Sequence, residues 1–582
     1  MRKLFMVAIF GVVGASSADT GSSKLVAEVA EQYWQIVLRE PTVRLDQGMP
    51  VSYLPDVTYQ HTAAQAQEAR KILERLRAVN PQQITHDESI TVDALRWELN
   101  RLIEDEKYFW LKSTQVVTPY RSAIPGANRI LTSWKFKSAN DVDGYLSMLA
   151  KYPAFVQSMR EILGGQVARG IVLPKAEIAQ VDGFLAGYLK PAEKSVFFVS
   201  KERLAGLSPA VAERFQASVA RMIGEQVNPA LAGLLEFVRG DYSAKAPEAV
   251  GESQYPGGKE YYRYLVRDYT TMDVTPEEVH QAGLDEVARI NARMAEARKA
   301  IGFAGTKAEF HEALKKDPRY FEKTPEDVER RLMAFVRLME PKIDAYFRVK
   351  PKAPYGVKRL EPALEASQTF GHYERPSAND PKGYYYFNGS DLAHRSWANS
   401  EMLMYHELIP GHHFQLSLMQ ENEQLPKFRR NAFYGANAEG WGEYAAMLAE
   451  EMGLYQDPYN RYGRYASEMF LASRLVVDTG MNYFGWSRER ATAYMRDNIL
   501  ESDEQIATET LRYSTDMPGQ ALGYKMGALK IRALREKARA ALGDRFDIRD
   551  FHDWFLMPGS MPMTVLEKHV DYEVKRVSAA RN

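Results

Sequence analysis

Cysteine is absent from the 582 residues, which excludes disulfide bracing and leaves no cysteine for a lipid anchor behind an export leader. An excess of charge of either sign is missing too: 75 Lys and Arg face 76 Asp and Glu, a formal net charge of -1. No basic stripe or acidic tail marks a nucleic-acid or polyanion partner, and small molecules or peptides are the expected ligands. After the N-terminal leader no run is long and apolar enough to span a bilayer, so no stable membrane insertion is expected. There is no internal repeat, no low-complexity tract, no phosphate-binding glycine motif and no G-x-S-x-G nucleophile elbow.

What is present begins with MRKLFMVAIFGVVGASSA, where Arg2 and Lys3 precede an apolar run from Leu4 to Val13 and small residues end at Ala18. This is the pattern of a secretory leader over 1–18, and it places the mature protein in the periplasm or outside the cell. The length suits two or three domains or one two-lobed enzyme. Apolar residues at helical spacing over 62–78, 207–239, 275–302 and 324–347 predict a mainly α fold. Thr275-Pro276-Glu277-Glu278 has the cap, the proline and the acids of a helix start. Gly- and Pro-rich punctuation at 240–261 divides the chain into a helical N-terminal region, 19–250, and a helical catalytic region, 251–582. One aromatic stretch, GYYYFN from Gly383 to Asn388, reads as a short strand. Nothing in the sequence sets the oligomeric state.

Only eleven histidines occur, yet His406, His412 and His413 fall within the stretch YHELIPGHHFQ. In H-E-x-x-H helices two histidines one turn apart bind a metal while the glutamate beside the first activates water. Here Pro410 and Gly411 intervene. In an unbroken helix His413 would share a face with His406, but two turns climb about 10 Å, too far for one ion. If Pro410 and Gly411 form a bulge, His412 takes the ligand position, because proline interrupts the helical ladder and glycine tolerates unusual dihedrals. A catalytic site needs a third ligand, and Glu439, on a helix expected to be capped by Asn437, is the candidate. Glu443, one turn on, could orient a ligating histidine. His311-Glu312 lacks companions and reads as a solvated helix face.

HELIPGHHFQ, AEGWGEYA and MPGQALGYKMG together resemble three signatures of the bacterial domain-of-unknown-function 885 family, a group of zincin-like metallopeptidases. The resemblance extends through GGQVARGIVLPK, GKEYYRYLVRDYTTMDVTPEEVHQAGLDEVARI and RLVVDTGMNYFGWSRERATAYM, most of the mature chain. It implies a two-lobed helical fold akin to gluzincin peptidases with a small β element near the site. It also implies one Zn²⁺ per chain held by His406, His412 and Glu439, with Glu407 as general base. Relatives carry a histidine where this chain has Asn482. A histidine there that served catalysis or substrate binding would be replaced by a side chain unable to become a cation.

The expected reaction is metal-assisted hydrolysis of oligopeptides. Tyr524, chiefly through the resemblance, is the expected oxyanion donor, with Arg512, Tyr513 and Gln520 near it in sequence as substrate contacts. The strand carrying Tyr385, Tyr386 and Asn388 is expected to be the edge strand that pairs with an extended peptide, as in gluzincins this chain resembles. Two other readings stay open: a hydrolase of a non-peptide amide or ester, and a metal-containing binding protein without turnover.

Overall fold

Capping chemistry sets the helix boundaries at the N-terminus. After α1 (Gly21–Val37), helices α2 (Tyr59–Leu76) and α3 (His86–Lys107) begin behind Thr58 and Thr85, whose hydroxyls accept the backbone N–H of His61 and Glu88. Glu88 returns a bond to the Thr85 N–H, closing a capping box. The computed structural model describes residues 21–365, 371–377 and 380–580, so the leader expected over 1–18 lies outside the described residues. No described helix is long and apolar enough to cross a membrane.

The three helices bury Val29, Tyr33, Leu76, Leu95 and Leu99 against each other and against Phe428 from the second half of the chain. A separate core around Tyr145, Tyr152, Leu234 and Tyr242 is drawn from Leu54 to Ala246. The stretch 207–239 is two helices, Pro209–Met222 and Asn228–Phe237, joined by a π turn. Beyond it, α4 (Pro276–Ile301) starts at the Thr275–Glu278 capping box with Pro276 at its first position, and ends at Gly302 with φ 83°.

A three-stranded sheet follows, β1 (Tyr355–Arg359), β2 (Gly371–Glu374) and β3 (Gly383–Phe387), in the order β1-β3-β2. β3 runs parallel to β1 and antiparallel to β2, with Tyr385 opposite Val357 on one side and Tyr373 on the other. The strand expected at the edge is therefore the central one. Its backbone groups are already paired on both sides, and none is left for a substrate. The edges belong to β1 and β2.

The remaining helices used below are α5 (Ser400–Glu407), α6 (His412–Glu421), α7 (Gly435–Glu451), α8 (Pro458–Asn482), α9 (Asp503–Leu511), α10 (Leu522–Leu542) and α11 (Met563–Ala579). α7 begins behind Tyr434, so Asn437 lies inside the helix and is not its cap. A Cβ on Gly440 of α7 would stand 2.6 Å from Gly527 Cα of α10. The two helices cross with their backbones in contact, which only glycine permits there. A buried ion network ties four helices together beneath this crossing: Lys525 meets Glu286 at 2.8 Å and Glu468 at 2.5 Å, and Arg464 meets Glu443 at 2.8 Å. Paired in this way, the charges hold register, and removing one partner would strand the other in a dry interior.

His311 corrects an expectation. It is buried, with Nε2 2.7 Å from the Tyr462 hydroxyl, and burial holds its pKa down at about 4. Only its neighbour Glu312 faces solvent.

Candidate metal centre

α5 ends at Glu407, four residues turn, and α6 starts at His412. The Pro-Gly insertion thus makes a break between two helices rather than a bulge inside one. Leu408 (φ -104°, ψ -96°) and Gly411 (φ -77°, ψ -126°) carry the non-helical dihedrals. A Cβ on Gly411 would sit 1.8 Å from the His406 carbonyl oxygen, so the turn closes only over glycine. Trp441 of α7 fixes it from outside by donating its Nε1–H to the Pro410 carbonyl at 2.9 Å.

The break folds His412 back on His406. The rings stand 4.7 Å apart at 87°, and each Nε2 faces the same Glu439 oxygen, at 3.5 Å from His406 and 3.3 Å from His412. Zinc–nitrogen and zinc–oxygen bonds of about 2.0–2.2 Å place tetrahedral neighbours about 3.3–3.6 Å apart. The donor set is the right size for such an ion, and all three side chains are buried or nearly so. Gly442 completes the cradle, since a Cβ there would meet the His406 ring at 2.8 Å. The Nδ1 atoms of both rings are buried without a hydrogen-bond partner. Their orientation comes from packing rather than from the outer carboxylates that usually steer metal-binding histidines.

Electrostatics agree with the geometry. Burial alone would raise the Glu439 carboxyl, but the adjoining His406 and His412 rings outweigh it and hold the group well below the usual carboxylate range. Burial would lower His412, and Glu439 more than reverses this, so that ring is raised. Glu407 lines the cavity beside the cluster, and burial pushes its carboxyl up against the opposing pull of His406 and His412. A carboxyl raised above its ordinary range on a cavity wall suits proton transfer.

The cavity measures about 740 Å³, and its wall includes Tyr120 from the N-terminal half together with His406, Glu407, Tyr385 and Tyr524. Tyr524 lies 6.5 Å from His406, ring to ring and nearly parallel. Burial, with the charge of Glu439 adding, pushes its pKa up to about 12, so it stays a proton donor at neutral pH. Arg512 lies on the wall, its Nη2 donating to Gln520 Oε1 at 2.9 Å. Gln520 thus serves to hold Arg512. Tyr513 is buried, its hydroxyl accepting from Arg474 Nε at 2.5 Å. Arg474 went unnoticed in the sequence; its guanidinium lies 5.2 Å from the Tyr524 ring, and its signal was a lone cation inside the apolar run of α8.

The other candidates, apart from Tyr385, are placed elsewhere. Tyr385 has no hydrogen-bond partner for its buried hydroxyl, although its ring reaches the cavity. Tyr386 points to the opposite face and stacks on His372 at 5.8 Å. Asn388 is buried and turned into its own loop, donating to the Glu365 carbonyl and accepting from Ser390. His413 stands outside the cluster: Nδ1 pairs with Tyr373 Oη at 2.9 Å and Nε2 with the Ala353 carbonyl at 3.0 Å, tying α6 to the sheet. Glu443 turns to Arg464 rather than to either ligand histidine. Asn482 is buried behind the site, donating to the Tyr513 carbonyl and accepting from the Glu252 N–H. It also bonds Asp478, whose carboxylate accepts the Gly519 N–H of the turn before Tyr524. It is a scaffold residue and does not line the cavity.

A mainly helical protein with a buried His–His–Glu group, reached through His406 from a cavity, is the class these features define. Residues 41–570 match the family described as "Bacterial protein of unknown function (DUF885)", and the chain belongs to that family. No curated protein matches the chain. Among solved structures, the "putative lipoprotein from Colwellia psychrerythraea" is 26% identical, with a TM-score of 0.86 over 96% of this chain and 100% of that one. The "putative lipoprotein of unknown function from Shewanella oneidensis" is 18% identical, with a TM-score of 0.74 over 94% of this chain and 99% of that one.

Proposed function

We propose that this protein is an exported zinc-dependent peptidase that hydrolyses oligopeptides. The observation that carries the reading is the convergence of His406 and His412 on one Glu439 oxygen, at 3.5 and 3.3 Å, with Glu407 beside them on the cavity wall. Zn²⁺ bound there would supply Lewis acidity, making water nucleophilic near neutral pH. Glu407 accepts a proton from the attacking water and returns it to the leaving amine. Its raised carboxyl matches both tasks. Tyr524 donates its hydroxyl to the developing oxyanion, where a fixed donor in a dry site is worth most. Gly371 of the β2 edge strand lines the cavity, so an extended peptide can pair there in place of β3.

A half-open cavity of about 740 Å³ has room for a short unfolded peptide and not for a folded protein. The lysine-arginine leader expected over 1–18 supports a periplasmic or secreted location. The test is a mixed peptide library against Glu407→Gln and the parent. The variant should keep one zinc per chain and lose turnover by about 10²–10⁴-fold. Parent-like cleavage by the variant would remove Glu407 from the mechanism. Consumption of an ester or non-peptide amide with no peptide cleaved would replace the substrate class.

A further inference from the structure

The cavity wall has charged groups on the side away from the metal centre, and most of them are spoken for. Glu509 lies between Arg474 at 3.3 Å and Arg512 at 3.8 Å. Lys315 meets Glu312 at 3.0 Å. Glu501 is the exception: it lines the same wall, half-buried in the loop before α9, and makes no hydrogen bond or ion pair with any described residue. A half-buried carboxyl without a partner is less well solvated than one in bulk water, and a ligand that brings its own positive charge offsets that cost.

We propose that Glu501 is a cation-receiving residue of the substrate cavity, selecting peptides that place an ammonium or guanidinium group against it. Both the α-ammonium of a free N-terminus and a lysine or arginine side chain carry this chemistry. The location favours such a role. Tyr524 links His406 to Arg474, and Arg474 links onward to Glu509; Glu501 lines the same cavity within electrostatic reach of Arg474 and Glu509. A substrate spanning the cavity would meet the centre with its scissile bond and Glu501 with a more distant part. Burial, with the charge of Glu509 adding and Arg474 and Lys315 opposing, pushes the Glu501 carboxyl up to about 8, so the cations already near it do not offset its burial. The net-neutral surface gives no long-range selection. Discrimination by charge then falls to contacts inside the cavity.

The proposal rests on the peptidase reading for the identity of its ligand, and its test separates the two. Three peptides of one length and one apolar sequence are used: free at the N-terminus, N-acetylated, and N-acetylated with one residue replaced by lysine. Their affinities for zinc-loaded Glu407→Gln protein are measured by calorimetry. One or both cationic peptides should bind about tenfold or more tighter than the neutral one, the worth of a charge-assisted hydrogen bond. Which of them does so identifies the source of the charge. The ratio should collapse in Glu407→Gln/Glu501→Gln and fall below one in Glu407→Gln/Glu501→Lys. Equal affinities for all three peptides overturn the proposal without any change at Glu501, as does a preference that survives undiminished in the Gln variant. Cleavage of the peptides by the parent without charge preference would leave the peptidase reading standing and sink this one. Charge-selective binding without cleavage would do the reverse.

Discussion

Two groups of two histidines and one glutamate occur among the described residues, and they behave differently. In His406, His412 and Glu439, and equally in His86, His569 and Glu573, the ligand atoms all lie within 4.8 Å of one another. In the second group His86 Nε2 and His569 Nδ1 are 2.8 Å apart, a completed hydrogen bond, and the rings stack with Tyr572 on the outer side. Glu573 is taken by Arg576 at 2.6 Å. This group joins the start of α3 to α11, away from the cavity. In the first group both Nε2 atoms face a shared carboxylate oxygen across a gap of ion size, with a free acid and a cavity beside them. Residue type and proximity are the same in the two. What separates them is that in the second group the facing ring nitrogens already bond each other and the carboxylate is taken by an arginine, whereas in the first they face one carboxylate across a gap.

Metal content gives the largest expected difference. His406→Ala should abolish zinc binding and all turnover, while His86→Ala should keep one zinc per chain, as read by elemental analysis after dialysis. Two zinc ions in the parent, falling to one in His86→Ala, would erase the distinction. Next comes Tyr524→Phe, which removes one hydroxyl from the first site and should lower kcat by about 10²–10³-fold with zinc retained. An unchanged kcat would return Tyr524 to packing. Smaller again is His413→Phe. It breaks the bonds to Tyr373 and Ala353 and should cost about 1–3 kcal/mol in denaturant unfolding while zinc stays bound. Loss of zinc there would mean that the two adjacent histidines exchange roles.

The site was more legible in the sequence than its surroundings. His406, His412 and Glu439 could be chosen because the constraint is local: a proline and a glycine must interrupt the helix, and only His412 then returns to His406. The form of the interruption was not legible, since a bulge and a break use the same two residues. Trp441 and Gly442 decide it from α7. Long-range pairing hid the rest. Nothing in GYYYFN tells that β1, which begins 28 residues earlier, pairs with it in the register Tyr355 to Gly383 and so makes it a central strand. Nothing in the short helix around His311 announces Tyr462, 151 positions away. The helix starts at Thr58, Thr85 and Thr275 needed no distant partner, and there local chemistry and fold agree.

The smallest predicted effect is the opposite pH response of the two groups in zinc-free protein. Burial holds His86 and His569 down at about 4, outweighing the acids Glu573 beside His86 and Asp87 beside both, which pull the other way. An unfolded histidine titrates near 6.5. Between these values the unfolded chain binds more protons than the folded one, so the contribution of the His86–His569 contact is intact at pH 7 and is lost as pH falls from about 6.5 toward 4. The structural reason is plain: with both rings protonated, Nε2 and Nδ1 each carry a hydrogen and the 2.8 Å bond has no acceptor. His412 has the other sign. Glu439 raises it, so without zinc its contribution is fully present below about 6.5 and fades as pH rises through the folded value. Thermal unfolding of chelated protein from pH 7 to pH 5 should therefore show a loss of about 1–2 kcal/mol from the His86–His569 pair, allowing for the half-exposed His86 ring, partly offset by His412. His569→Gln keeps a side-chain donor and acceptor at that position but cannot titrate, and should flatten the acid limb of the curve. If the acid limb of His569→Gln matches that of the parent, the proton uptake lies elsewhere, and the satisfied pair is not the acid-sensitive one.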